Sequence, residues 1–515
     1  LRGGYSVKVD WDGNGTFSGT TEDVSQHVRG YATERGRDFA SPQAGRSIAG
    51  GIRLEVDNSD GRYTFAGATS DITTAGGTVI PGRLMQVSSD SGAFTYEFPI
   101  LFTAPRWTGY LTGVSPNPSL RGVNTAVLTG HGPFSRFIDT QVSLVPQDGS
   151  VSDLVGTILD AAGWASADRN IKTTQSSLKR VRFDRVGGLF ALQQIEDAEV
   201  GFVAEDADGK IRFEGRHTRL TAPHTTSVGT LVDAAAAGTL HPSEVRPEDP
   251  LKFVFTEVQG THLGFSTGAT ATLWTLGSTG TASPVWNPGQ KRTFFAQYPN
   301  PASTRNAEAV QSWVTPSATL DYVFLATATS GATLTDAMKV TNSKFAESMV
   351  LEVENTGTAP AYATKFEARG VPILADDPVT LKAEDATAGT LYGTRTLVNQ
   401  TKFSNSFEDV ENRTRFQLGL TGVPRPLMEV TIPAHRDGAH FQFANTVDIS
   451  DRVTVLFTGT TGLAITDDFF VEAKKDVVTA KRSHLVTLKL SPVASFASYW
   501  VVGISKLGTT TRLAY

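Results

Sequence analysis

Apolar and polar residues alternate with a period of two through the first part of the chain. In YSVKVDW, Tyr5, Val7, Val9 and Trp11 are apolar while Ser6, Lys8 and Asp10 are polar. Ile52, Leu54 and Val56 alternate with Arg53, Glu55 and Asp57, and Phe94, Tyr96 and Phe98 do the same in AFTYEFP. Successive side chains of a strand point to opposite faces, so the pattern predicts antiparallel sheet with one face on a core and one on water. Three segments, DGNGTF, SDGRYTF and DADGKIRF, place Asp/Asn-Gly just before alternation resumes. Glycine accepts positive φ and Asp or Asn tolerates it, which predicts a hairpin turn at each.

The period changes between 150 and 200. Val151, Leu154, Val155, Ile158, Leu159 and Ala162 share one helical face, with Ser150 and Asp153 placed to cap its start and Gly163 to end it. Leu189, Leu192 and Ile195 predict a second helix after a strand at RVRFD, and EVGFVAEDADGKIRFEGR predicts a hairpin. This is a small mixed α/β module set between β segments. HPSEVRPEDP, with three prolines and four charges in ten residues, reads as a connector. A Thr/Gly-rich stretch from Thr261 to Ser283 follows, and MVLEVENTGTAPAYATKFEARG predicts two strands around Asn355-Thr356-Gly357 in an inserted β domain. Strands are predicted at Arg452–Phe457, Asp468–Lys474 and His484–Leu490, with one helix near Ser404–Gln417. No short-period repeat supports a solenoid.

Composition narrows the function classes. A chain of 515 residues with 39% hydrophobic and 19% charged residues can bury several cores. Asp+Glu number 52 against 46 Lys+Arg, a net charge of −6, which argues against a general nucleic-acid binder. The basic run Lys179-Arg180-Val181-Arg182 reads as the solvated face of a strand. The absence of cysteine excludes disulfides, thiolate zinc sites and a cysteine nucleophile. No apolar run reaches the roughly 20 residues that span a bilayer, and LRGGYSVKV is not a signal peptide, so a soluble protein without an export address is expected.

Four patterns invite chemistry. Asp10, Asp12, Asn14 and Gly15 fill the first, third, fifth and sixth places of a calcium loop, but Thr21 occupies the twelfth and Glu22 comes one residue late. A strand precedes the loop where an EF-hand has a helix, so a hairpin turn is expected and calcium is the lesser alternative. Gly264-Phe265-Ser266-Thr267-Gly268 matches G-x-S-x-G, yet the following ATATLWTLGSTG is poor in helix formers, so Ser266 is not expected to be a nucleophile. His435 and His440 flank Asp437-Gly438 without a third ligand and read as loop histidines. The pairs Asp376-Asp377 and Asp467-Asp468 would serve a glycosidase only at a fixed separation, and they read as turn carboxylates. No catalytic, cofactor-binding or metal residue is therefore predicted, and no cofactor.

The ordered strings carry a resemblance. VDWDGNGTFSGTTEDVSQHVRGYATERGRD, then PQAGRSIAGGIRLEVDNSDGRYTF through PGRLMQVSSD, resemble the start of minor tail proteins of long-tailed bacteriophages. Glu22-Asp23-Val24-Ser25, Gly36-Arg37-Asp38, Ala44-Gly45 and Asp57-Asn58-Ser59-Asp60-Gly61-Arg62-Tyr63 fill that family's places in order, with Ser25 for the commoner Thr. The similarity extends to the hairpin at Glu199–Arg216 and to DRVTVLF, DDFFVEAKKD and HLVTLKLSPV. The Gly/Thr-rich stretch from about 260 to 330 lies outside it.

The resemblance implies a tail-tip or baseplate hub: a mainly β, multidomain chain with two tube-like β-barrel domains, an inserted small α/β module and an inserted β-sandwich-like domain. The expected divisions are 1–145 plus 200–240 for the first barrel, 146–199 for the α/β module, 250–371 for the inserted β domain and 372–515 for the second barrel. The implied partners are two further copies in a homotrimer, a distal tail protein ring, a tape-measure protein, and tail fibre or receptor-binding proteins. Viral DNA would pass through without specific binding. The implied place is the distal end of the tail in the virion, after synthesis in the host cytoplasm, and the protein is not expected to be an enzyme. Two alternatives remain: host-surface glycan binding through Trp274, Trp286 and Trp313 of the inserted domain, and a cell-envelope hydrolase acting through Ser266.

Overall fold

The computed structural model describes residues 5–37, 46–64, 70–89, 104–119, 122–234, 239–248, 251–276, 283–298, 307–399, 402–422, 426–459, 461–479, 483–493, 499–500 and 512–513. The alternating segment around Phe94, Tyr96 and Phe98, and Asp38 and Ala44-Gly45 of the tail-protein signature, lie outside these residues.

The fold is mainly β and divided among several sheets. Its centre is a twelve-stranded sheet. In chain order its strands are β1 (Tyr5–Val9), β2 (Val28–Arg37), β3 (Ser47–Asp57), β4 (Leu84–Ser89), β5 (Pro105–Asn117), β6 (Thr125–His131), β7 (Ser227–Val232), β8 (Glu244–Glu248), β9 (Leu427–Pro433), β10 (Arg452–Phe457), β11 (Ile465–Thr479) and β12 (His484–Pro492). Their spatial order is β1-β4-β5-β6-β3-β2-β11-β12-β9-β8, with β10 beside β11 and β7 beside β10. Six N-terminal strands thus form one half and six later strands the other. Among the described residues the pairings run as an open path rather than a closed ring.

The halves meet where β2 pairs antiparallel with β11, from Gly30 opposite Thr479 to Gly36 opposite Ala473. The long β11 gives its first part, residues 465–470, to β10 and its second part to β2. Each half wraps its own core. Trp11, Tyr63 and Trp107 are fully buried in the first, while Val430, Val455, Phe457, Phe469 and Leu488 fill the second. The alternation in the sequence is the cause: Tyr5, Val7 and Val9, and Ile52, Leu54 and Val56, are the buried positions of β1 and β3.

Of the three Asp/Asn-Gly turns, only one joins a hairpin. DADGKIRF connects Phe202–Glu205 to its antiparallel partner Ile211–Glu214, with Gly209 at φ +83°. DGNGTF opens a longer loop, and β1 pairs with β4 rather than with the next strand. SDGRYTF caps the end of β3, where Asn58 Oδ1 accepts from Tyr63 N at 2.9 Å and Gly61 takes φ +73°. Such residues specify a reversal of direction, while the pairing partner is chosen by packing elsewhere.

The α/β module between β6 and β7 holds helices Val151–Ala161 and Gly188–Glu199 around a core of Leu154, Ile158, Leu192 and Ile195. Ser150 Oγ accepts from Asp153 N and caps the first helix, as its sequence position predicts. The Phe202–Glu214 hairpin pairs with Arg169–Ile171 of this module and sends Val203, Ile211 and Phe213 into its core. In the basic run, Arg182 is buried and ion-paired with Glu308 at 3.4 Å, so only part of that strand's polar face is solvated.

The stretch between β8 and β9 is an insertion between paired neighbours, since Glu244–Glu248 lies antiparallel to Leu427–Pro433. HPSEVRPEDP is therefore partly strand and not only connector. An edge strand has one side without ladder partners, which lets it carry Pro247. Inside the insertion, strand Glu257–His262 pairs with Val379–Glu384 and with Thr396–Asn399 beneath helix Phe407–Thr421. A second insertion is nested between the first two of these, because His262 sits opposite Val379. It is a β module whose core contains Trp286, Trp313, Phe324 and Phe366, with Trp274 packed at its margin. Trp286 and Trp313 are buried and Trp274 is half-buried, so these rings build the module and do not offer a sugar-stacking platform.

Candidate functional site

The residues that attracted chemical readings are dispersed. Ser266 lies on strand Phe265–Thr267, paired with Ile373–Ala375, with its Oγ 3.4 Å from Asp376 Oδ1 on an exposed edge. No strand-to-helix elbow presents it, so it lacks the geometry of a nucleophile. His440 is buried, with Nδ1 2.7 Å from Asp437 Oδ1 and Nε2 accepting from His241 N at 2.9 Å. Both ring nitrogens are thus engaged, one by the Asp437 side chain that caps the helix Gly438–Thr446 and the other by the backbone of His241. His435 Nδ1 bonds the backbone of His484 and does not join His440 on a common ligand. Asp468 accepts from Thr454 and pairs with Arg452, while Asp376 is exposed.

What the fold does assemble is a line of buried charges at the seam between the two halves of the sheet and the α/β module. Its first group joins β5 to the far half. Arg106, 2% exposed, donates to Asp476 and to Asn445. Asp476 Oδ1 also lies 2.9 Å from His484 Nε2, whose Nδ1 is 2.7 Å from Tyr5 Oη. Burial, then Arg106, push the His484 imidazole down to about 4. It is therefore neutral at pH 7, donating from Nε2 to Asp476 and accepting the Tyr5 hydroxyl at Nδ1. Lys474, on the same face of β11, donates to the carbonyls of Ala444 and Val447 at 2.8 Å each, and burial lowers its pKa to about 8.

The second group joins β2, the hairpin and β11. Arg219 forms a two-pronged pair with Glu472 and donates to Ser450 Oγ, which donates to Glu214 Oε2 at 2.6 Å. Arg37 approaches Glu472 at 3.8 Å and Glu196 at 3.9 Å, with its guanidinium 3.7 Å above the Phe202 ring. Burial alone raises the Glu472 carboxyl, yet Arg219 and Arg37 outweigh it and hold it at about 2. Glu196 has weaker support, and burial pushes it up to about 7.

A third group is centred on Asp448, which pairs with Arg35 of β2 at 2.7 Å and with Arg212 of the hairpin at 3.4 Å. Against the pull of burial, these two arginines hold Asp448 at about 2. Glu205 reaches from the hairpin into the first half, where its carboxylate accepts from Gly50 N at 2.6 Å and Phe134 N at 2.7 Å. The seam fastens one part of the chain to another. Each group bridges distant segments of the chain: Asp476, Glu472 and Asp448 each meet an arginine, while Lys474 and Glu205 are held by backbone groups.

Gly36 shows how tightly the halves are drawn together. It has φ +121°, and a Cβ there would meet Glu472 O at 2.4 Å. Gly36 and Arg37 are the first two residues of the G-R-D signature, so that motif marks the seam.

The chain as a whole resembles solved proteins in fold. A tail protein from Neisseria meningitidis matches with a TM-score of 0.50 at 12% identity, over 95% of this chain and 96% of that one. The chain shares the fold of that tail protein. A prophage tail protein from Shewanella oneidensis matches with a TM-score of 0.49 at 9% identity, over 96% of this chain and 99% of that one. No family model and no curated protein matches the chain. At 12% identity to the Neisseria protein the fold is held in common while most side chains differ.

Proposed function

We propose that the chain is a structural component of a phage tail, and within it the hub at the tail tip. The observation that carries the reading is the tail-protein fold spanning 95% of the chain, found with the ordered EDVS, GRD and DNSDGRY signatures. A sheet of two six-stranded halves suits a subunit that contributes two similar units to a ring. Three copies would then present a pseudo-six-fold surface to a six-fold tail tube. On this reading the partners are two further copies, the distal tail ring, the tape-measure protein and the fibre or receptor-binding proteins, and DNA passes through the assembled lumen without specific binding. The work is mechanical rather than catalytic, and a seam of matched charges fits a part that must keep its shape under load.

The test joins two measurements. Light scattering of the purified chain is expected to give a trimer at assembly concentrations. Antibody against the chain is expected to decorate the distal tip of tails in electron micrographs. A chain that stays monomeric and labels no tail tip would overturn the hub reading.

A further inference from the structure

The loop after β1 leaves that strand and returns to it. Val9 N donates to Glu22 O and Val24 N to Val7 O, each at 2.9 Å, and Lys8 and Asp23 form a bridge. Asp10 anchors the interior: Oδ1 accepts from Gly13 N at 2.7 Å and Asn14 N at 3.1 Å, and Oδ2 accepts from Gly15 N at 2.9 Å. Asp12, exposed, is steadied by the amide of Asn14. Closure against β1 carries Glu22 back over the loop. The carboxylates of Asp10, Asp12 and Glu22 then each offer an oxygen within 4.8 Å of the others.

Acidic clusters are common on protein surfaces, and this one has a further property. Glu22 is 2% exposed, and its Oε1 is buried with no hydrogen-bond donor, while Oε2 accepts from Gly19 N at 2.6 Å. A carboxylate oxygen withdrawn from water, in a group that stands beside two other carboxylates, is left without a hydrogen-bond donor. Two cations are close. Lys8 acts on Glu22 from a neighbouring position, and the Arg83 guanidinium packs against Gly13 while bonding Thr78. Neither forms an ion pair with the three carboxylates among the described residues. Burial, then the charges of Asp12 and Asp10, raise the Glu22 pKa.

We propose that Asp10, Asp12 and Glu22 bind a hard divalent cation, calcium by preference. All the donors are oxygens, which suits calcium and not the nitrogen- and sulfur-seeking transition metals. Ligand oxygens at 2.3–2.6 Å from one calcium lie no more than about 5 Å apart, which the cluster meets. The exposed side at Asp12 leaves room for the water ligands that complete a calcium shell, whereas magnesium demands a stricter octahedron. The sequence pattern had left Glu22 one position late for an EF-hand. Closure of the loop by strand pairing, with no flanking helices, brings it to the site all the same.

The test is calorimetric titration of the chelator-treated full chain with calcium, together with its melting temperature. One calcium per chain is expected, with a dissociation constant below about 1 mM. Asp12→Asn and Glu22→Gln are each expected to weaken binding at least about tenfold. In chelator, Glu22→Gln is expected to melt at or above the unaltered chain, because like-charge repulsion is relieved; in calcium that order reverses. Asp12 is exposed, so its variant keeps the fold and carries the test if the Glu22 variant does not. No heat up to about 10 mM calcium, or unchanged binding in the Asp12 variant, would overturn the proposal.

Discussion

Tyr5 and His484 stand 479 positions apart and share a 2.7 Å hydrogen bond inside the protein. The contact joins the first described strand to the last strand of the central sheet. It belongs to a group in which a neutral imidazole, an ionised Asp476 and Arg106 satisfy one another away from water.

Breaking that group on one side should be costly. Arg106→Met takes from the buried Asp476 its ion-pair partner and leaves it the His484 hydrogen bond, for which a loss of about 3 kcal/mol is expected in urea unfolding. Adding Asp476→Leu removes the orphaned charge and should restore a large part of that loss. If the double variant is no more stable than the single one, the pair is not the source of the effect.

The seam should also impose a pH profile with two limbs. Glu472 and Asp448 have folded-state pKa values of about 2, below the ordinary range, so they stabilise the protein above it. That contribution is lost as pH falls from about 4.5 to 2. Glu196 is displaced the other way, from 4.5 to about 7. Its contribution is present below pH 4.5 and is lost as pH rises to about 7, amounting to no more than about 3 kcal/mol. Melting temperature is therefore expected to peak in mildly acidic buffer. Burial raises Glu205 to about 7 and Asp451 to about 6 as well, so Glu196→Gln should reduce the limb between pH 4.5 and 7 without abolishing it, and leave the acid limb in place.

Gly36→Ala tests the closeness of the seam. A side chain there must displace the backbone of Glu472 and Ala473 at a φ that disfavours it. A destabilisation of at least about 2 kcal/mol is expected. Hydrogen exchange should rise at residues 473–479 of β11 ahead of the rest of the sheet; uniform protection would show that the strands accommodate the methyl group.

Removing the nested module should spare the rest. His262 and Val379 face each other across a ladder, so a short turn can replace residues 263–378. The contacts given up include those of Asp184 with Glu347 and Ser348 and of Arg182 with Glu308. The shortened chain is expected to remain folded by circular dichroism, with the oligomeric state of the full chain. Aggregation of the shortened chain would mean that the module helps hold the core together.

Element types were largely legible from local pattern. The strand at Arg452–Phe457 falls on its predicted residues, and the Val151–Ala161 helix begins at its Ser150 cap. The seam was not legible. Glu472, Lys474 and Asp476 are charged residues of the run Glu472-Ala473-Lys474-Lys475-Asp476 and would be assigned to water, yet each is at most 5% exposed. The partners of Glu472 and Asp476, namely Arg37, Arg219 and Arg106, lie hundreds of positions away, and a single sequence carries no signal for such a match. The early loop shows the reverse case, since Glu22 was visible as a nearby acid but its place was set by closure onto β1.

The pairing of β2 with β11 has a consequence for how the protein is made. β2 leaves the ribosome long before its partner is synthesised, and at about 5–20 residues per second the wait is tens of seconds. Throughout that interval one edge of the nascent sheet is open, and open edges recruit strands from other chains. Arg35 and Arg37 stand on β2 and find Asp448 and Glu472 only once those later residues have been translated. Until then their charge guards an unfinished protein against its own copies, so the seam serves as a gatekeeper before it serves as a clasp.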